Sequence, residues 1–518
     1  MKRFFKWTAF VVGSLFLLLV LIAGGFLGWL RWSGERDWKR AEAELRAKGE
    51  KLTFAELVPP MPPDSENFFA DPIWAEFADL IPSKNDRVID EWNPRVPSNQ
   101  RQLNRWESVP LTPEEKERLS KLMPTEKEIK TRKEAFFLLK TKVSEEKYPQ
   151  KQKEIAALSL EILSPAEPVL SRIAKLSERP QAQFPIRYDL VQSTPLPQLS
   201  AIHTLAQIIH RLALSELILG KNPEAASDTM MLVRLSSVLK KEPLLISYLV
   251  RISSAAMALN SIHKGILDHA WTEADLQRFQ GLLQNQDLQQ NCLLGLNGER
   301  CFFNQIDPSV LDLLVFFEID PTSLSDGSNV FDKLRKKLLQ FCLRSIFIKD
   351  KAYQNLWLQR NIESLNAQIG QGWNAASAPS PNKEAYDLRN HPINRWIYML
   401  NWLCLPAISG CYQKAAEAQT QVDQTLIACA LERYRIAHGS YPTSLDQVVP
   451  DFLAKLPHSP ITGKPMNYSL KPDGTFLLWS PGWNLTSLGG KPGEYRGDGD
   501  IVWGQPLSTK TRPPKVGK

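Results

Sequence analysis

The side chains best suited to acid–base or metal chemistry are two histidines in the middle of the chain. His203 and His210 are seven residues apart, so a helix would place them on one face, two turns from each other. Two metal ligands on one helix normally come from adjacent turns, and this spacing therefore favours packing or surface roles. Two nearby carboxylates, Glu216 and Glu224, show no spacing typical of a catalytic pair.

Sequence signatures of known catalytic sites are absent from the chain. It contains no G-x-S-x-G elbow, Walker phosphate loop, H-E-x-x-H helix or C-x-x-C pair. His263 and His269 lie close to a predicted helix end, where a positive charge is favourable without a catalytic role. Six cysteines in 518 residues do not make a disulfide scaffold, and most are expected to be buried thiols. The sequence therefore predicts no catalytic residue and no cofactor site.

An uninterrupted apolar run near the N-terminus predicts a membrane-spanning helix. From Thr8 to Leu30 the run has roughly the 20 residues that cross a bilayer core, and tryptophans flank it at interfacial depth. A cleaved signal peptide is the alternative. The run is longer than a typical signal core, however, and Arg31-Trp32-Ser33-Gly34 offers no A-x-A-like cleavage site. Residues 8–30 are therefore expected to anchor the protein in a lipid bilayer.

Basic residues on both sides of the run decide its expected orientation. Lys2, Arg3 and Lys6 would hold the short N-terminal tail in the cytoplasm. Basic residues after the run, among them Arg31 and Arg36, weaken this bias, and acidic residues contribute little to orientation. We expect a single pass with a cytoplasmic N-terminus and an extracytoplasmic body.

Apolar residues recur at helical spacing between residues 112 and 370. A capping box with proline at the first helical position begins this region at Thr112-Pro-Glu-Glu115. Gly220-Lys-Asn-Pro-Glu224 predicts a turn between two helices, and Thr272-x-x-Asp275 caps another. We interpret the region as an irregular array of stacked helix pairs, similar in general manner to tetratricopeptide-like arrays, because no fixed repeat is visible.

A compositional break separates this region from the C-terminal part. The segment from Gly370 to Asn390 is rich in Gly, Ala, Ser, Pro and Asn, which is typical of a linker. The apolar segment from Trp396 to Leu405 follows. It is too short to span a membrane and predicts a packing helix that ends before Pro406.

The last hundred residues or so predict a long helix followed by a small antiparallel sheet. The helix runs from about Ala415 to His438, with Gly439 as its C′ residue. Strands are predicted from Met466 to Leu470 and from Thr475 to Ser480, joined by the turn Lys471-Pro-Asp-Gly474. Packing the helix on the sheet is the economical way to bury both apolar faces.

Three runs in this part resemble the soluble domain of the major pseudopilins of type II secretion systems. They are Ala430-Leu-Glu-Arg-Tyr-Arg-Ile-Ala-His-Gly439, Ser440-Tyr-Pro-Thr-Ser-Leu-Asp446 and Gly497-Asp-Gly-Asp-Ile-Val-Trp503. The resemblance covers only the C-terminal part. It implies a helix packed on a sheet and a final loop that holds calcium, with Asp498 and Asp500 as weak candidate ligands. The alternative for these residues is a glycine-rich turn with solvated aspartates.

The N-terminal part departs from the pseudopilin pattern. A pseudopilin begins with a short basic leader, a glycine cleavage site and an apolar helix that carries a glutamate near its start. Gly13-Ser-Leu-Phe16 has no such glutamate, and the C-terminal module lies far along the chain from the membrane helix. We therefore expect a large membrane-anchored protein of the bacterial inner membrane, with its bulk in the periplasm, that ends in a pseudopilin-like module.

The predicted fold class is mainly α, with an N-terminal transmembrane helix, an irregular array of helix pairs and a small C-terminal α+β module. The predicted parts are a cytoplasmic tail and anchor (1–33), a juxtamembrane and proline-rich spacer (34–111), the helical array (112–370), a linker (371–395), the pseudopilin-like module (396–505) and a flexible basic tail (506–518).

The expected function is binding, without chemistry. Arrays of helix pairs expose extended concave surfaces, which favours an extracytoplasmic scaffold or interaction protein with a protein partner in the envelope. The net charge of +7 is spread along the chain, so a nucleic-acid partner is not expected. Two alternatives remain open: an accessory component of a type II secretion or pilus-like assembly, and an envelope hydrolase with an unidentified site.

Overall fold

The computed structural model describes residues 2–74, 149–188, 196–306, 330–372, 381–494 and 497–505. The predicted capping box at Thr112, the spacer from residue 75 onward, part of the linker (373–380) and the basic tail (506–518) lie outside these residues. The helices are α1 Lys2–Ala47, α2 Phe54–Leu57, α3 Pro149–Leu163, α4 Glu167–Leu176, α5 Pro197–Ile218, α6 Asn222–Leu235, α7 Leu245–Leu267, α8 Glu273–Leu283, α9 Leu288–Gln305, α10 Val330–Gln368, α11 Pro381–Asn390, α12 Asn394–Ile397 and α13 Met399–His438. The strands are β1 Asn467–Leu470, β2 Phe476–Ser480 and β3 Ile501–Val502.

The predicted fold class is confirmed at its coarsest level, because the chain is mainly helical with a small antiparallel sheet near its C-terminus. Local signals act as expected. The Gly220 turn joins α5 to α6. The Thr272 hydroxyl accepts a hydrogen bond from the Asp275 backbone amide, and the Asp275 carboxylate accepts one from the Thr272 backbone amide. Short-range chemistry of this kind sets where these helices begin and end.

The sheet has the strand order β1-β2-β3, with both pairs antiparallel. Leu470 lies opposite Phe476 in the first pair, and Trp479 lies opposite Val502 in the second. The turn between β1 and β2 closes through the Lys471 amide, which donates to the Thr475 carbonyl at 2.7 Å. The two longer strands match their prediction to within one residue, whereas β3 is too short for its sequence to indicate it.

Helix α13 corrects the expectation that Pro406 ends a helix. The helix runs without interruption from Met399 to His438. Pro406 lies near its start and removes one backbone hydrogen bond, that to the Trp402 carbonyl. Leu405 and Tyr412, on either side of the proline, are buried in one cluster with residues of α9 and α10. Tertiary packing therefore outweighs the local preference.

Beyond the cluster with α9 and α10, the same helix contributes to two further cores. Val422 and Leu426 are buried in the main core that α4 to α8 also supply. Ile427 and Leu431 of the same helix are buried in a separate cluster with Leu478 of β2. Helix α13 therefore holds the sheet against the helical body, because it supplies core residues to both.

Helices α1 and α10 lie side by side and run parallel. The Arg31 guanidinium lies 5.5 Å from the Phe341 ring centroid, the Lys349 ammonium is 2.6 Å from the Asp37 carboxylate, and the Lys48 ammonium is 2.9 Å from that of Glu363. Residue numbers rise together along both helices. The C-terminal half of α1 is thus packed into the helical body.

We expect the glycine Gly298 in α9 to be required for the approach of α9 to the segment before α7. An added Cβ would overlap the Pro243 carbonyl, whereas a Cβ at Gly281 in α8 would meet no atom within 4 Å. Gly298→Ala should lower the free energy of unfolding by about 1–3 kcal/mol, because the core would be overpacked. Gly281→Ala should raise it by about 0.5–1 kcal/mol, because alanine favours helix. Denaturant titration of the two variants measures both effects; a similar effect from the two would contradict the packing.

Candidate functional site

Asp500 is built into the C-terminal loop. Only 4% of the residue is exposed, and its Oδ2 accepts the backbone N–H groups of Leu488 and Gly490, each at 2.8 Å. Its Oδ1 is also buried and has no hydrogen-bond partner among the described residues. One oxygen of this carboxylate therefore closes the loop, and the other is left for a further donor or a cation.

Asp498 contributes its backbone carbonyl to the same loop. Its carbonyl oxygen accepts the Asn484 side-chain amide at 2.9 Å. Gly493 and Gly499 approach so closely that a Cβ on either would overlap the other's backbone, which explains the glycines. Hard oxygen atoms gathered in this way suit calcium, and the unpartnered Asp500 Oδ1 is compatible with it. No group of three or more His, Cys, Asp or Glu residues suited to a metal occurs in the described ranges, so calcium stays a prediction.

The histidines singled out by spacing do not converge. The His203 Nε2 lies 3.1 Å from Gln207 Nε2, and the His210 Nδ1 lies 2.9 Å from Ser261 Oγ. Burial lowers the pKa of His210 to about 4, with the Arg211 charge acting in the same direction. His210 is therefore a neutral packing residue that ties α5 to α7.

His269 belongs to a network that the sequence did not indicate. Its Nδ1 lies 2.9 Å from Oε1 of the fully buried Glu432, which also accepts hydrogen bonds from Arg435 and Tyr441. Burial alone would raise the pKa of Glu432, but the hydrogen bonds from Arg435, Tyr441 and His269 hold it below its usual value. His269 also has a φ of 52°, uncommon for a residue with a side chain. The network ties the end of α7 to α13.

Several carboxyl groups have a raised pKa because of burial. The values are about 8 for Glu216 and about 7 for Asp228, Glu242, Glu299 and Asp423. In Glu216 the negative charge of Asp228 adds to the effect of burial. Such groups mark an active site when they line a cleft together. None of these five lines the cleft described next.

A cleft of about 540 Å³ opens where three helices of the body end. Its walls are residues 177–182 after α4, residues from Val233 to Lys241 at the end of α6, residues from Leu282 to Gln286 at the end of α8, and Phe68. This volume lies in the range of small-molecule sites. Its lining includes the basic residues Arg179, Arg234, Lys240 and Lys241 and one carboxylate, that of Glu178. Sequence analysis missed this cleft because its walls come from distant segments.

We expect Asp500→Ala to destabilise the loop more than Asp498→Ala does. Asp500→Ala leaves two N–H groups without their acceptor, which should cost about 2 kcal/mol of unfolding free energy. Thermal unfolding in the presence of either calcium or a chelator measures this loss of stability and also tests whether the loop binds calcium. Bound calcium would raise the midpoint of the wild type but not that of Asp500→Ala. If the unfolding midpoint of the wild type does not change with calcium, the metal assignment is wrong. Equal effects of the two substitutions on stability would contradict the loop geometry.

Comparisons with protein-family models, with curated proteins and with solved structures find no match for this chain.

Proposed function

We propose that the chain is a single-pass protein of the bacterial inner membrane whose extracytoplasmic body is a rigid scaffold for protein binding. The observation that carries this proposal is that the single helix α1 has two different parts. Its first part is exposed and apolar, and its second part, with no break in the helix, is packed into the body.

The described side chains of the exposed part of α1 are mostly apolar. Among its outward side chains, Trp7 is 67% exposed and Leu21 is 64% exposed. Others with at least two fifths of their surface exposed are Val11, Val12, Leu15, Leu17, Leu18, Ile22, Phe26 and Trp29. Leaving such a surface in water is unfavourable by about 25 cal/mol per Å², whereas lipid tails would cover it. An apolar surface of this kind supports the anchor.

Among the described residues, α7 is the helix with the length and hydropathy of a membrane span. More than half of its span is buried inside the body, which is typical of a core helix. The side chains of several residues between Thr8 and Leu30 fall outside the description, so the anchor rests on the exposed residues given above.

The contacts of α1 just after its exposed apolar part support a rigid connection between the proposed anchor and the body. Leu30, Ala41 and Leu45 are buried on the part of α1 that follows the apolar surface. The Lys349 ammonium bridges the Asp37 carboxylate at 2.6 Å and the Ser33 hydroxyl at 3.2 Å. Because one continuous helix crosses the join, the body would keep a defined height and tilt above the bilayer.

A protein-binding surface on the body is supported by exposed leucines at its C-terminal end. Leu470 at the end of β1 and Leu485 and Leu488 in the loop after β2 are 41%, 45% and 44% exposed. Leu485 also has a φ of 56°, which is strained for a leucine. Apolar side chains held outward near a sheet edge favour docking of a protein partner.

A second candidate function is an accessory role in a type II secretion or pilus-like assembly. It is favoured by the packing of Ile427 and Leu431 of α13 against Leu478 of β2, the helix-on-sheet arrangement that the resemblance implies. The docking surface would then meet a pseudopilin. The hydrolase alternative stays a prediction without a nominated site, since the carboxyls of raised pKa do not line the described cleft.

We expect the full-length protein to stay in the membrane pellet during alkaline carbonate extraction. A Leu15→Arg and Leu18→Arg double variant should be largely released, because each arginine near the centre of a span costs about 2.5–3.5 kcal/mol. The matched Leu15→Ala and Leu18→Ala variant keeps an apolar helix and should stay in the pellet. Release of the wild type, or equal retention of both variants, would contradict the anchor.

We expect a photoreactive amino acid at Leu488 to crosslink to an envelope protein in living cells. The same probe at Glu224, an exposed position in α6, serves as the control and should not join that protein. Mass spectrometry of the joined species then separates the two candidate functions, since pseudopilins would indicate the accessory role and other envelope proteins the scaffold. Identical products from both positions, or only self-crosslinks, would contradict the docking surface.

A further inference from the structure

The cleft at the ends of α4, α6 and α8 has more basic than acidic side chains among its described lining residues. Glu178 is the one carboxylate in its lining, and it lies 3.3 Å from the Arg234 guanidinium. Its side chain is 66% exposed, so the pair is a weak surface contact. Arg179, Lys240 and Lys241 complete the cations of the lining without a second acid.

Two of these cations fix the wall of the cleft with neutral partners. The Arg179 guanidinium donates to the backbone carbonyls of Asp64 and Asn67, at 3.0 and 2.8 Å. The Lys241 ammonium donates to the Gln181 side-chain oxygen. Gln181 is in turn bonded through its backbone to the segment that carries Phe68. The wall is therefore held in place before any ligand arrives, which lowers the cost of binding.

Lys240 has no such partner. Within the described part of the chain its ammonium makes no hydrogen bond and no ion pair. Burial lowers its pKa, and the positive charges of Arg251 and Lys241 lower it further. An anion beside Lys240 would raise this pKa, because an opposite charge stabilises the ammonium.

Arg251 supplies a further positive charge from beneath the cleft. It is almost completely buried, and its guanidinium donates to neutral acceptors: the Ser236 carbonyl at 3.1 Å, the Gln286 side chain at 2.6 Å and the Asn291 side chain. Gln286 lines the cleft, so the buried charge lies directly behind the lining. A positive charge in a low-dielectric interior acts strongly on a nearby ligand.

We propose that this cleft binds the phosphate group of a small organic molecule through Lys240, Lys241 and Arg234. The excess of cations suits a phosphate, which carries more charge than a single carboxylate and accepts hydrogen bonds on several oxygens. The volume of about 540 Å³ exceeds that of a bare ion, and Phe68, Val238 and Leu282 offer apolar contact to the remainder of the ligand. The proposal goes beyond the scaffold role and does not depend on the anchor or on the docking surface.

The phosphate could be carried by a soluble phosphoester or by a lipid headgroup, and the chemistry of recognition is the same. The first arm of the test therefore uses full-length protein in a neutral detergent, with inorganic pyrophosphate as the probe and calorimetric titration at constant ionic strength. Saturable binding at one site per chain is expected. Lys240→Gln should weaken it at least tenfold, and the Lys240→Arg variant, which keeps the charge, should retain most of it.

The control is Lys455→Gln, which removes an exposed lysine that does not line the cleft. It should leave the affinity unchanged and so separates site binding from the general attraction of a basic protein. The second arm repeats the titration in nanodiscs of phosphatidylcholine with or without phosphatidylglycerol. Loss of pyrophosphate binding in the presence of phosphatidylglycerol assigns the cleft to a lipid headgroup, and equal binding in both assigns it to a soluble phosphoester.

Three results would overturn the proposal. They are no saturable binding of pyrophosphate to the wild type, an unchanged affinity in Lys240→Gln, and an equal loss in Lys240→Gln and Lys455→Gln. Thermal unfolding of each variant without ligand checks that the fold is intact. Arg234→Gln is a second cleft variant, should Lys240→Gln fail to fold.

Discussion

The parallel packing of α10 along α1 is the contact on which the rest of the arrangement depends. Gly34 lets the two helices approach, since a Cβ there would lie 2.6 Å from a methyl group of Ile348. Further along, the buried Arg300 of α9 donates to Glu50, just after α1, at 2.7 Å and to Gln359 of α10. A buried charge is tolerated only with such partners, so this three-way contact fixes how the end of α1 is held against α9 and α10.

Helix α13 transmits that constraint to the C-terminal sheet. Its first half is buried with α9 and α10, its middle with the main helical core, and its last turns with β2. Removing it would expose all three cores at once. The sheet, the Asp500 loop and the exposed leucines are therefore held in a fixed relation to the helix that we propose as the anchor, which is the property a scaffold requires.

Features set by neighbouring residues were predictable from the sequence, and features set by distant ones were not. The Thr272 capping box, the turn before β2 and Gly439, with a φ of 79° at the end of α13, all follow from local chemistry. The continuation of α13 through Pro406 depends on packing against α9 and α10, and the Glu432 network joins residues far apart in the chain. The basic cleft is missed for the same reason, because Arg179, Lys240 and Gln286 meet only after three helices have packed. The pseudopilin resemblance and the calcium assignment of Asp498 and Asp500 stay predictions.

The central claim is that one unbroken helix joins the bilayer to the body, and hydrogen exchange of the full-length protein in lipid nanodiscs tests it most directly. The account predicts slow backbone exchange from residue 8 to residue 47, first because lipid excludes water and then because α10 covers the helix. Fast exchange between residues 8 and 30 would contradict the anchor. A fast-exchanging gap between Leu30 and Ala41 would show a hinge where the account requires a rigid join.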